Sequence, residues 1–545
     1  MRVKKHASWV LNGFIVLSLG AFAICETFAA TVPVWNVRDF GATGDGTTLD
    51  TVGINRAIDE AHSSGGGTVF FPAGNYLSVS IHLKSNITLY LDSGAKIIAA
   101  DPREGFRYDP PEPNPWDKYD DFGHMHWHNS LIWGENVDNV SILGPGLIWG
   151  KGLVRSGLQS RTSRKNDAIL KLTTDRVVAP FGFPNPRDTV EDGWGNKAIA
   201  LKLCRNITVR DISILHGGHF AILATGVDHL TIDNLKIDTN RDGINIDSCR
   251  NVHITNSSVN SPFDDAICAK SSYALGYARA TENVTITSCI VSGYDEGSLL
   301  DGTYRRELIN DNREFRSENG PYNPTGRIKL GTESNGGFKN VVIANCVFDY
   351  GSGLALESVD GGSLEDVTVN NIIMRDVADS PLFLRLGSRG RGPKETTKVG
   401  ALRRVTISNL IVYNADLRYA SIISGIPNHK IEDVGLRNVR IYYRGGGTKA
   451  MAAISPPERE AAYPEPEMFG EEMPAYGFFI RHVKGIEMSD VEVGYLTEDK
   501  RSPFVLIDVQ DAAFHRLRAQ HAAKTPRFML KGVANVAISK AGAGH

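Results

Sequence analysis

One short pattern returns along most of this chain and constrains its fold more than any bulk property: an Asn or Asp, then Val, Ile or Leu alternating with Thr, then a turn residue. Copies begin at Asn86, Asn139, Asn206, His229, Asn251, Asn283 and Asn340, with looser ones at Asp366, Arg404, Asp433 and Ile486. A β-branched run of period two bounded by Asn, Asp or Gly is strand-and-turn chemistry. In the most regular stretch the copies start at 206, 229 and 251, so the steps are 23 and 22 residues. Parallel strands cannot be joined by hairpins, and no helical pattern lies between the copies to act as a crossover. A stacked coil resolves this: each turn supplies one strand, and neighbouring turns bury what a single repeat would expose. The longer steps, 283 to 340 and 433 to 486, are then loops inserted between strands, where binding residues commonly sit.

The open end of a coil needs a cover. Asp50 is placed to cap a helix with Ile54, Ala57, Ile58 and Ala61 at helical spacing, stopped by Gly65, Gly66 and Gly67, and this helix is expected to plug the N-terminal end. Before it, Arg2, Lys4 and Lys5, an apolar stretch from Trp9 to Ile24 and small residues up to Ala30 have the order of a cleaved secretory leader. Residues 1–30 are therefore expected to be removed and residues 31–545 to form one domain that works outside the cytoplasm, secreted or periplasmic. No later segment is apolar enough to span a bilayer. The formal net charge of −3, without a basic block, gives no pull towards nucleic acid or an anionic membrane. A monomer is expected.

Apart from Cys25, the cysteines are Cys204, Cys249, Cys268, Cys289 and Cys346. Their odd number and the absence of Cys-x-x-Cys argue against a disulfide framework or a zinc knuckle. Cys249, Cys268 and Cys289 lie 19 and 21 residues apart, about one repeat, and are expected as buried thiols stacked in the core. The sequons at Asn86, Asn139, Asn206, Asn256 and Asn283 fall at repeat positions and are read as turn asparagines.

The segment Phe40-Gly-Ala-Thr-Gly-Asp-Gly46, followed by Gly67-Thr-Val-Phe-Phe-Pro-Ala-Gly-Asn-Tyr76, resembles the entry sequence of pectin-degrading β-helices. Further on, Asn240-Arg-Asp-Gly-Ile-Asn245 and Phe263-Asp-Asp-Ala-Ile267 resemble the Asn-Thr-Asp-Gly-Ile-Asp and Gly-Asp-Asp-Cys-Ile motifs of the polygalacturonase family of glycoside hydrolases. The resemblance implies an all-β, single-stranded, right-handed parallel β-helix with an N-terminal capping helix. It also implies a hydrolase of pectic polysaccharide or oligosaccharide that needs no cofactor.

The residues themselves carry matching chemistry. Asp242 and Asp264 are 22 residues apart, one repeat, so they belong on adjacent coils about 4.8 Å apart, with Asp265 beside them. Three crowded acids repel, which raises at least one pKa and leaves a proton donor next to ionised partners. An inverting glycosidase needs such a donor and a base holding water, with carboxyls roughly 6.5–9.5 Å apart. The family roles, carried over, make Asp264 the general acid and Asp242 and Asp265 the residues that activate water. Lys270 matches the lysine of the family's Asp-Asp-Cys-Ile-Ala-Ile-Lys run. A plain ladder of turn aspartates and a calcium site are the competing readings.

Two departures redirect the substrate. The family's Gly-His-Gly motif aligns with Thr325-Gly-Arg327, so its histidine is absent, and its Arg-Ile-Lys aligns with Ala355-Leu-Glu357. Arg327 and Lys329, on one face of a strand, either replace the lost cations one coil earlier or form a solvated pair. His219 is the candidate substitute for the histidine. Glu333, Glu357 and Asp360 add carboxylates able to hold neutral hydroxyls, which favours rhamnogalacturonan over plain homogalacturonan. Arg385, Arg389 and Arg391 form a basic loop that either meets substrate carboxylates or is exposed. His124, His126 and His128 would share one face of a strand, where imidazoles can bind metal, contact substrate or pack. Trp127, with Trp116 and Tyr119, either stacks on sugar or belongs to the core. The alternatives to a hydrolase are a uronate lyase or epimerase on the same fold and a non-catalytic carbohydrate-binding β-helix.

Overall fold

A computed structural model describes residues 33–120, 123–154, 193–306 and 324–539, together with the backbone of two short strands at Arg316–Ser317 and Gly320–Pro321. The proposed leader lies outside these residues. Among the described residues one continuous sheet of 36 strands winds as a right-handed coil, and every strand pair examined along the site face is parallel. The site lies on successive turns of one face: β1 (Phe220–Thr225), β2 (Asp242–Asp247), β3 (Ile267–Ser271), β4 (Ile328–Ser334), β5 (Leu354–Ser358), β6 (Leu382–Leu386), β7 (Ser421–Ser424) and β8 (Ala475–Thr497).

Period-two alternation decides which way each side chain points. Ile222, Ile244, Ile267 and Ile328 are in register on consecutive turns and stack inwards as one fully buried column. The next residue on each strand points outwards, giving the column Leu223, Asn245, Cys268, Lys329, Ala355, Phe383, Ile422 and Phe479. This outer column is polar only in its middle. On the N-terminal side Leu223 is covered by Met125 and Trp127, and on the C-terminal side Phe383, Ile422 and Phe479 are covered by Met468, Phe469 and Met473. Two loops thus bracket a polar stretch a few turns long.

The turns repeat as faithfully as the strands. Asn86, Asn139, Asn206, Asn251, Asn283 and Asn340 all have positive φ, a conformation Asn adopts more readily than most residues. The side-chain amides form ladders, with Asn139 donating to Asn86 at 2.8 Å and Asn206 to Asn139 at 2.7 Å. The sequon asparagines are turn residues of this kind.

Helix α1 (Thr51–Ser63) buries Ile54, Ala57, Ile58 and Ala61 against the first turns, as a plug should. Asp50 precedes it but does not cap it. Its carboxylate accepts from the Thr43 and Gly44 amides at 2.6 and 3.1 Å, pinning the Gly-rich entry loop instead. The cysteines also differ from expectation. All five are free and buried, but Cys249 lies at the corner before Arg250–Thr255, Cys289 at a different corner before Ile290–Ser292, and Cys268 in the outward column, so these three do not stack. Cys289 stacks on Cys346 of the next turn instead.

Candidate active site

Asp242 opens β2, and the amides of Gly243 and Ile244 donate to the carbonyls of Asp265 and Ala266 at 3.1 and 2.9 Å. This places Asp265 one coil on, beside Asp242, with Asp264 just before it. One oxygen from each of the three lies within 4.8 Å of the others. They are not equivalent. Asp264 is 28% exposed and accepts from Arg241 Nε at 2.8 Å. Asp265 is buried and accepts from Arg327 Nε at 2.8 Å. Asp242 has no cation in contact: one oxygen accepts from Asn245 Nδ2 at 2.9 Å, and the other meets no donor among the described residues. Burial, and then the Asp264 carboxylate, hold the Asp242 pKa well above the usual carboxylate range. Asp242 is therefore the member of the trio that burial and its neighbour favour in the protonated form, beside two carboxyls that guanidinium groups hold.

Below it the cations and acids interlock. Lys270 donates to Glu333 at 2.6 Å; burial alone would depress this lysine, but the Glu333 carboxylate holds its pKa well above the ordinary value. Arg389 donates to Glu333 at 3.0 Å and is also bonded to Asp360. Lys329 lies 3.5 Å from Glu357, 3.3 Å from Glu465 and 3.8 Å from Asp265. Arg327 spans Asp265 and, at 2.5 Å, Glu465. Arg327 and Lys329 are thus a buried, acid-paired couple and not a solvated one. They sit one turn before Ala355, in register with Lys329.

Of the sequence-predicted residues, Asp242, Asp264, Asp265, Lys270, Arg327, Lys329, His219, Glu333 and Glu357 come together. Arg385 does not. It is buried beneath the C-terminal loop, donating to Ser424 Oγ at 3.2 Å and the Gly425 carbonyl at 2.9 Å, with the Phe469 ring 5.5 Å away. The alternation that puts Arg385 outward puts it next to Glu357, yet the covering loop claims it. Arg389 is likewise buried in ion pairs, and Arg391 stands at the rim, 32% exposed.

The three histidines diverge because residues 123–131 form turns, not a strand. His126 bonds the Glu112 carbonyl and Asp117, while His128 bonds Glu135 and stacks on Trp133. His124 alone reaches the site, against His219 and Phe220. Burial, and then the Lys270 ammonium, keep it well below the usual imidazole pKa, so it is a neutral ring. His219 receives Arg241 Nη1 at 3.0 Å and so helps to orient the guanidinium on Asp264. One ligand atom each from Asp120, His124 and Glu333 lie within 4.8 Å, but Glu333 already receives two cations, a poor setting for a divalent ion. Trp127 is core, donating from Nε1 to Thr225 Oγ1 at 3.0 Å.

Sequence reasoning missed Arg241, Tyr463 and Glu465, and singled out His124 only as one of three clustered histidines. Arg241 was signalled by standing where the resembled motif has Thr; the other two arrive on a loop whose path no local pattern reveals. Tyr463 is 46% exposed, accepts from Thr332 Oγ1 at 3.1 Å, and has Lys329 Nζ 5.5 Å and the Arg389 guanidinium 5.6 Å from its ring centre.

Glu357 supplies a pH test. Its oxygens accept no hydrogen bond among the described residues, and burial outweighs the nearby Lys329 ammonium, raising its pKa to about 7. A carboxyl raised on folding contributes stability that is fully present below its unfolded value near 4.5 and is lost as pH climbs through about 7. Glu357→Gln is expected to flatten the urea-midpoint profile between those pH values; a profile as steep as that of the wild type would refute the assignment.

The comparisons agree with this geometry. A family model described as rhamnogalacturonase A/epimerase, pectate lyase-like, matches residues 34–105, and one described as right-handed beta helix region matches 189–303 and 220–378. A probable polygalacturonase of Vitis vinifera is 24% identical over 417 residues, covering 74% of this chain and 73% of that protein. The chain resembles the polygalacturonase-like parallel β-helix proteins. Another relative, the exo-poly-α-D-galacturonosidase of Dickeya chrysanthemi, is 24% identical over 67% of this chain and 58% of its own length. Among solved structures, a family 28 exopolygalacturonase of Yersinia enterocolitica shares the fold, with a TM-score of 0.60 and 18% identity over 93% of this chain and 78% of that one. This polygalacturonase-like chain is accordingly a glycoside hydrolase.

Proposed function

We propose that this chain is a secreted hydrolase of galacturonate-containing pectic polysaccharide, acting on rhamnogalacturonan in preference to homogalacturonan and inverting the anomeric carbon. Residues 31–545 are its catalytic domain, behind a leader of residues 1–30. The observation that carries the reading is the aspartate trio: a buried carboxyl without a cation beside two carboxyls each held by a guanidinium, open to the groove at Asp264. The proton resting on Asp242 reaches the leaving oxygen through Asp264 as the glycosidic C–O bond breaks. Water bonds to the anomeric carbon and gives its proton to Asp265, from which it returns to Asp242. Asp264 and Asp265 are each held by a guanidinium, which blunts them as nucleophiles but leaves lone pairs to orient water.

The oxygens of the trio come closer than the separation usual for inverting pairs, so stereochemistry is a sharp test. The replacement of Arg-Ile-Lys by Ala355-Leu-Glu357 supports the shift away from homogalacturonan, and the two bracketing loops support cleavage near a chain end. Reducing ends are expected to be released faster from rhamnogalacturonan than from homogalacturonan, with proton NMR of fresh product showing the inverted anomer. A retained anomer would make one aspartate a nucleophile, and no release from either polymer would sink the reading.

A further inference from the structure

The charges around the trio restrict which sugar can sit against it. Six cations approach this site, and each already lies within 4.0 Å of a protein carboxylate: Arg241 on Asp264, Lys270 on Glu333, Arg327 on Asp265 and Glu465, Lys329 on Glu465 and Glu357, Arg389 on Asp360, and Arg391 on Glu333. Among the described residues each of these six cations therefore already has a carboxylate partner. A uronate ring entering here adds a further carboxylate. Beyond Arg241 on the half-open Asp264 and Arg391 at the rim, any cation it took would come from Asp265, Glu333, Glu357 or Asp360, all buried, and would strand an acid out of water. Carboxylates only accept hydrogen bonds, so what the site offers an incoming ring is a wall of acceptors, which suits hydroxyl donors.

We propose that the ring bound against Asp242 and Asp264, whose anomeric bond breaks, is a neutral hexose or deoxyhexose and not a uronate. This rests on the hydrolase reading above and names the sugar at its catalytic subsite. Glu465 is the specificity determinant: it neutralises Arg327 and Lys329, the two buried cations beside Asp265 that a uronate would otherwise use.

The test labels the new end of the product. Homogalacturonan, rhamnogalacturonan and neutral pectic galactan are each digested by the full-length enzyme, with Asp264→Asn as control. New reducing ends are then reduced with borodeuteride and the labelled sugar is identified. Label at least about tenfold higher in neutral alditol than in aldonic acid is expected, and Glu465→Gln is expected to move that ratio towards the acid at least about threefold. Label mainly in the aldonic acid from the wild type would overturn the neutral-sugar assignment while leaving the hydrolase reading intact. An unchanged ratio in Glu465→Gln would overturn the role of Glu465. No enzyme-dependent label from any polymer would bring down the hydrolase reading, and this inference with it.

Discussion

Asp264→Asn is expected to lower kcat by about 10³-fold, within the range associated with losing a general acid, while leaving the fold and KM nearly unchanged. The amide keeps the shape and can still accept from Arg241 Nε, which reaches the native carboxylate at 2.8 Å, so what is lost is the group that takes the proton from Asp242 and hands it to the leaving oxygen. Asp242→Asn makes a contrasting companion. It replaces a carboxyl that burial and Asp264 already keep protonated, so the neutral amide imitates the resting state. Because the native group is raised on folding, it contributes stability below its unfolded pKa that is lost as pH climbs towards the folded value. Asp242→Asn should therefore be more stable than wild type at pH 8 and about equal near pH 3, read from urea midpoints, yet still slow because the proton cannot leave it. Turnover by Asp264→Asn within tenfold of wild type would remove Asp264 as the acid. A stability loss at pH 8 would mean Asp242 is ionised in the folded protein.

Arg327→Met carries the second large effect, on stability as well as on activity. Arg327 is buried and bridges Asp265 at 2.8 Å and Glu465 at 2.5 Å, so its removal leaves two acids facing one another with Lys329 alone between them. Breaking a buried pair by removing one partner costs about 3–5 kcal/mol, because the remaining charge stays out of water without compensation. Urea unfolding should show a loss of that size together with inactivity. Arg327→Lys should recover little, since one ammonium cannot direct two fixed donors at two carboxylates. The triple change Arg327→Met, Asp265→Asn, Glu465→Gln should regain most of the stability and none of the activity. If Arg327→Met unfolds at the wild-type urea concentration, the network is not a structural keystone.

Local rules account for the part of this architecture that was legible in the sequence. A β-branched run of period two assigns each side chain to the core or the outside, and an asparagine in the left-handed region ends the run; each turn then rests on its neighbour. The coil, its turn asparagines and the plug helix follow from interactions that span one repeat at most. So does the meeting of Asp242 with Asp264 and Asp265, since one repeat along the chain is one strand spacing in space.

What loops contribute obeys no such period. Glu465 lies 138 residues beyond the Arg327 it neutralises, and His124 reaches the trio from a segment without regular structure. The sequence by itself determined that cations and carboxylates share one face. Only the tertiary structure decided which were paired: it buried Arg385 under a loop, drew Glu465 onto Arg327 and Lys329, and left Asp242 without a cation. The physical reason is the strong dependence of charge on its nearest partner: a shift of a few ångströms in a buried site decides whether a carboxyl keeps its proton, and loop paths set those distances.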